Sequence, residues 1–222
     1  MKSMANRKID REQIIAQALK TLGNAHSFTD FSLRKVAADL HVDVSTLYWH
    51  FKNKQDILQA MAEAVIEHVE LPDTQLEWTV QLKQLFSNIF DVYERYPLAA
   101  VLMVETIPSA LVRLHLIDHT IGIITTAGIN EQTANIAVTS IDFLLTGLMI
   151  DLSIENRFRQ QITTQQDPGL AEHVKKIHAQ AQSHHLEHMQ ASIKMRNQLS
   201  AKQQFEKGLD LIIAGLQQYL AE

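Results

Sequence analysis

Apolar residues recur three and four positions apart along almost the whole chain, and no stretch alternates long enough to make a half-buried strand. In "SLRKVAADL", Leu33, Val36, Ala37 and Leu40 mark one helical face behind a capping Ser32. "DREQIIAQALKTLG" opens with Asp10 and has Gln13 three places on, a capping-box pattern. Ile14, Ala18, Leu19 and Leu22 then share a face up to a stop at Gly23. Ser45 is read as the cap of "TLYWHF", and "NKQDILQAMAEAVIEHV" runs to near Leu71 and Pro72. Helical spacing continues in "QLEWTVQLKQLFSNIFDVYERY", a short segment 98–106, "SALVRLHLIDHTIGIITTAG" and a long apolar helix over 131–155. The polar stretch "RQQITTQQDPGL" reads as a break, followed by one polar helix over roughly 170–198 and an apolar one over 203–220. Seven Gly and four Pro in 222 residues leave little material for turns. The expectation is an all-α chain of nine or ten helices, with no internal repeat.

Several function classes drop out. With no Cys there is no disulfide framework and no thiolate chemistry, which suits a reducing compartment. No apolar run follows the basic start as in a signal peptide, and Asp142 and Asp151 interrupt the longest apolar stretch. A cytoplasmic protein without a membrane segment is expected. The net charge of −5 is uneven. Residues 1–60 carry nine basic side chains, Lys2, Arg7 and Lys8 among them, against six acidic ones, so this end is +3 and the remainder −8. A basic end on an acidic body suits an anionic partner at one end only.

"SLRKVAADLHVDVSTLYWHFKNKQDIL" has the parts of a helix–turn–helix unit. Val36, Ala37 and Leu40 face inward from the first helix, Leu47 and Phe51 from the second. The turn lacks Gly, and His41 stands where a left-handed residue is convenient. With Leu47 inward, Ser45, Thr46, Tyr48, Trp49 and His50 cannot all be core. Hydroxyls can bond phosphate or base edges, aromatics can pack on sugar and thymine methyls, and Arg34, Lys35 and Lys54 can reach the DNA backbone. The alternative is that Tyr48 and Trp49 fill a core and the charges are a solvated face.

"STLYWHFKNKQDIL" resembles the recognition-helix signature of the TetR family of transcriptional repressors, above all the tetracycline-repressor branch with its T-L-Y-W-H-x-K-N-K run. "FEKGLDLIIAGLQQYL" resembles the last helix of that branch. The resemblance implies a homodimer on a palindromic double-stranded DNA operator, released by a small-molecule effector and needing no cofactor. It implies a three-helix DNA-binding domain over 1–54, a connecting helix over 55–71, and a larger ligand-sensing and dimerisation domain over 72–222. Carried over by position, Arg34, Val44, Ser45, Thr46, Tyr48, Trp49, His50 and Lys54 are the DNA-contacting residues. Val44 departs from the branch, where that position is polar, which implies a different operator.

The same resemblance places the drug-chelating His of the branch at Met103 and its acid at Asp151, with further drug-holding positions at Glu70, Leu85 and Ile89. A thioether cannot replace imidazole toward a hard cation, so tetracycline sensing is not expected. Ile89, Met103, Leu116 and Val138 suggest a more apolar cavity, with Thr106, His119 and Asp142 as orienting polar groups. Asp142 stands out because a buried, unpaired carboxylate is costly. Excess apolar surface on 131–155 (Ile136, Val138, Ile141, Leu144, Leu148) and 203–220 (Leu209, Ile212, Ile213, Leu216) suits a four-helix dimer interface.

Eleven His residues keep a zinc-type metal-responsive regulator, or a helical metalloenzyme, as alternatives. His115 and His119 are four apart, as are His184 and His188, with His173, His178 and His185 nearby. Solvated surface His is the plainer reading. No metal ligand set and no nucleophile–base pair is assigned, so no enzyme is expected.

Overall fold

The structure, a computed structural model, describes residues 9–164 and 167–220; Lys2, Arg7 and Lys8 lie outside them. Among the described residues there are eleven α-helices: α1 (Arg11–Gly23), α2 (Leu33–Asp39), α3 (Val44–Tyr48), α4 (Lys54–Ile66), α5 (Trp78–Arg95), α6 (Ala99–Val104), α7 (Leu111–Thr126), α8 (Glu131–Thr163), α9 (Pro168–Ser183), α10 (Glu187–Gln198) and α11 (Ala201–Gln218). A 3-10 turn, Phe28–Asp30, precedes α2. The chain divides into two compact units. The first holds the described residues up to Leu71 with Asp91–His119, the second Pro72–Phe90 with the described residues from Thr120 on.

In the first unit α1 packs on α2 and α4, and α2 on α3. Ile14, Val36, Leu47, Ile57 and Met61 are fully buried in their common core. The Asp10–Gln13 capping box forms in both directions and starts α1. Between α1 and α2, the Thr21 hydroxyl and the Gln17 amide donate to the Asp39 carboxylate at 2.9 and 3.2 Å. Buried Thr21 is thereby satisfied. After α2, His41 takes φ 58°. The His41 N–H donates to the Ala38 carbonyl and the Val42 N–H to that of Ala37, each at 3.0 Å. This Schellman turn is the one for which His41 was singled out. α3 starts two residues earlier than expected: its N-cap is Asp43, and Ser45 lies within the helix.

In the second unit the Phe205 ring of α11 stacks on Phe90 of α5 at 5.8 Å, and α11 packs along α8. Gly208 lets these helices close up, since a β-carbon there would sit 2.7 Å from Leu144 Cδ2. α8 runs on to Thr163 and ends inside the polar stretch expected to break the chain, before α9 begins at Pro168. Arg159 of α8 pairs with Glu155 at 2.6 Å, four residues back, and so supports that extension. The expected single helix over 170–198 is two, α9 and α10, because His185 turns left-handed at φ 52°. One 18-residue window of α8 has a mean hydropathy of 1.6, so by length and composition alone this helix is apolar enough to cross a membrane despite Asp142 and Asp151. Ala134, Ala137, Ile141, Leu145 and Met149 are buried along one face of it, while most of the apolar window is not buried within the single chain.

Candidate nucleic-acid interface and effector-reading residues

α3 has only five residues and one buried side chain, Leu47. Its remaining surface is turned outward. Trp49 is 87% exposed and Tyr48 48%, while Ser45 is exposed and Val44, Thr46 and His50 are half-buried. The core alternative for the two aromatics therefore fails. Arg34 is exposed on α2, and Lys54 is exposed at the first position of α4, its ammonium 5.7 Å above the Phe31 ring. All eight sequence-derived DNA-contacting residues thus fall on α2, α3 and its following turn, or the start of α4, within the first unit.

One residue that sequence reasoning missed braces this surface. Arg11, first in α1, donates from Nη1 to the His50 carbonyl at 3.3 Å, and its guanidinium lies 4.3 Å from the centre of the Phe51 ring. Also missed was a clamp between α4 and the segment after α6. Gln59 donates to the Ile107 carbonyl at 3.0 Å and accepts from the Ile107 N–H at 3.1 Å. Gln55 donates to the Glu105 carbonyl at 2.8 Å. A cleft of about 870 Å³ opens in the same unit between α1, α4 and Tyr96. Small residues facing it, Ala16, Ala60 and Ala64, were the available signal.

The seven effector candidates are divided. Met103, Thr106, Leu116 and His119 belong to the first unit, Ile89, Val138 and Asp142 to the second. Ile89, Met103 and Thr106 are buried, and Leu116, His119 and Val138 are half-buried. Asp142 is exposed, so the cost of a buried carboxylate that singled it out does not arise. The Thr106 hydroxyl is already engaged. It donates to the Leu102 carbonyl at 2.8 Å and accepts from Arg113 Nη1 at 2.8 Å. His119 differs from both: its Nε2 is buried and meets no hydrogen-bond partner. Asp151, in the position of the branch's acid, pairs with Arg196 at 2.6 Å.

Among the described residues no three His, Asp or Glu side chains come together as a metal site. His173, His178, His184, His185 and His188 are all exposed. The residues expected at a dimer interface differ in exposure within the single chain. Ile141, Leu209, Ile213 and Leu216 are buried within the chain; Ile136 is 61% exposed, and so, unanticipated, are Phe143 at 70% and Leu211 at 76%.

The family model for "Bacterial regulatory proteins, tetR family" matches residues 14–61, and that for "Tetracyclin repressor-like, C-terminal domain" matches 71–220. Tetracycline repressor protein class C of Escherichia coli is 27% identical over 218 residues, 95% of this chain and 91% of that protein. The Streptomyces coelicolor TetR family protein ActR in complex with actinorhodin superposes with a TM-score of 0.76 at 20% identity, covering 96% of this chain and 99% of that one. BioQ with its natural double-stranded DNA operator superposes with a TM-score of 0.60 at 25% identity, covering 74% and 99%.

Proposed function

The chain belongs to the tetR family of bacterial regulatory proteins, and on that premise we propose that it is a homodimeric repressor that binds a palindromic operator and is released by a small effector. It acts in the cytoplasm. The observation that carries this reading is the outward face of α3, where Trp49 and Tyr48 are exposed above a fully buried Leu47. An aromatic pair left in water costs solubility unless a partner covers it. Beside Ser45, Arg34 and Lys54, the partner it suits is a DNA duplex, with hydroxyl and aromatic groups at the base edges and cations on phosphate. Of the set, Tyr48 and Lys54 hold the DNA backbone, and Val44 suits a thymine methyl.

A helix lies across the major groove once per turn, so two heads related by a two-fold axis read half-sites about 34–36 Å apart. The apolar face of Ile136, Phe143 and Leu211 supports that axis by giving a second copy something to cover. The effector we infer is largely apolar, held against Met103 and Leu116, with one polar group that meets His119 Nε2. Tetracycline does not suit a site with Met103 where a metal-chelate ligand would stand. Release requires only that the effector bind the non-DNA-binding arrangement more tightly than the DNA-binding one.

The test is selection of duplexes from a randomised library by the purified protein, followed by footprinting and a salt titration. An enriched palindrome with two protected half-sites, bound less tightly as salt rises, is expected. The Tyr48→Ala variant should lose that binding and remain dimeric. If it binds the selected duplex as the parent does, α3 has been wrongly taken as the reading helix.

A further inference from the structure

We propose that Arg11 is a positioning residue for operator recognition, holding the C-terminal end of α3 at its reading angle without touching DNA. This rests on the DNA-binding reading above.

A five-residue helix cannot hold itself, because so few internal bonds form for the residues that must be fixed. α3 also starts without help, since the Asp43 side chain makes no capping bond. Leu47 anchors its middle. That leaves the end from which Trp49 and His50 project. The His50 carbonyl, two residues past the last residue of α3, lies outside the helical ladder and takes its donor from elsewhere. Arg11 is that donor, at 3.3 Å to the His50 carbonyl. The same guanidinium lies over the buried Phe51 ring at 4.3 Å. One contact is along a hydrogen bond and the other across a ring face, so together they limit both translation and tilt of the chain that follows α3.

The location of the charge supports the same assignment. At the first position of α1 a cation opposes that helix's own dipole, so α1 gains nothing from it there. Placed at the end of α3, the same charge is favourable. Recognition tolerates only about half an ångström of error in the atoms that read a ligand, so a loosened α3 loses specific contacts first.

The experiment measures Arg11→Met and Arg11→Lys against the parent on two duplexes. One is the best duplex the parent selects from a random library; the other is of scrambled sequence. Arg11 is exposed, so both variants should fold, which far-UV circular dichroism and a melt will check. For Arg11→Met we expect affinity for the selected duplex to fall about tenfold, as for loss of a charge-assisted hydrogen bond. Scrambled DNA should be bound nearly as before, and the slope of log K against log salt should not change. Arg11→Lys should recover part of the loss, because an ammonium can reach the carbonyl but does not lie flat on the ring. A slope shallower by about one, with equal loss on both duplexes, would make Arg11 a phosphate contact and overturn the proposal. So would unaltered affinity, or a loss tracking partial unfolding at the assay temperature. If the parent itself selects no duplex, the DNA-binding reading fails first, and visibly so.

Discussion

Gln59 offers the sharpest test of how α4 is tied to the segment beyond α6. Its amide makes two hydrogen bonds to one residue, donating to the Ile107 carbonyl at 3.0 Å and accepting from the Ile107 N–H at 3.1 Å. Gln59→Met removes both, while the side chain stays unbranched, of similar length and comparable in helix propensity. An intramolecular hydrogen bond contributes about 0.5–1.5 kcal/mol net. Ile107 is 71% exposed, so water can replace the lost partner and no buried group is orphaned. The pair is therefore placed toward the lower half of its range, at about 1–2 kcal/mol. At about 1.4 kcal/mol per factor of ten, opening of the Ile107 amide should become about five- to thirtyfold more frequent. Hydrogen exchange on a peptide covering 105–109 reads this directly, with the amides of α2 as an internal reference. The fall in operator affinity cannot exceed the same factor, since the clamp cannot transmit more free energy than it holds. Unaccelerated exchange at Ile107 would refute the clamp, and a loss of operator binding well beyond thirtyfold would show that Gln59 does something else.

Leu47→Ala and Trp49→Ala should separate folding from reading. The first empties a fully buried position and should cost about 2–5 kcal/mol in denaturant melts. The second, at 87% exposure, should leave stability within about 0.5 kcal/mol yet abolish selective duplex binding; equal stability losses would refute the outward assignment. Phe143→Asp removes apolar surface from both sides of a two-fold interface, about 1.5–3 kcal/mol for each ring covered. Sedimentation should show a folded monomer at concentrations where the parent is a dimer, and an unaltered dimer would place the axis elsewhere. His119→Leu removes a buried nitrogen that has no partner, so the protein without effector should melt higher, by about 1–3 kcal/mol at most. A lower melting point would mean that His119 does structural work there.

What the sequence made legible was local. The Asp10–Gln13 box depends on residues three apart, and His41 turns left-handed where a helix must end before another begins. Neither depends on what packs nearby. The break between α9 and α10 was hidden because "SHHLEH" has no Gly or Pro and continues the helical pattern. There the Leu186 N–H reaches the Ala181 carbonyl at 3.0 Å, and Gln190 donates to that same oxygen at 2.8 Å. Such a turn depends on buried Ala181 and a residue nine positions on, which no short window contains. The exposed side of α8 was hidden for a different reason. α8 is apolar nearly all round, so periodicity could not say which side faces inward. Ile136 and Phe143, seven apart, share the exposed side, and Ile141 and Leu145 the buried one. Arg11 was equally out of reach, because its acceptor lies 39 residues away.

The histidines show why spacing alone is a weak signal for a metal site. Spacing made His184, His185 and His188 look like one cluster, but the backbone gives His185 a turn to make and leaves His184 and His188 in solvent. His41 has the same backbone task at the other end of the chain. His68 bonds the Ala64 carbonyl at 2.7 Å and lies against the Tyr96 ring, the two planes tilted by 56°. Among the described residues, His119 alone is marked by a buried nitrogen without a partner. A zinc site needs donors that converge, and convergence depends on the fold rather than on sequence spacing. An unsatisfied nitrogen needs only one group to complete it, which an organic effector can bring with it. Dialysis with zinc should therefore leave the melting curve unmoved, whereas an effector that meets His119 should raise it by mass action, by about 2.7 kcal/mol at a hundred times its Kd. A zinc-dependent rise abolished by His184→Ala and His188→Ala would reverse this assignment and return the sensing role to the α9–α10 turn.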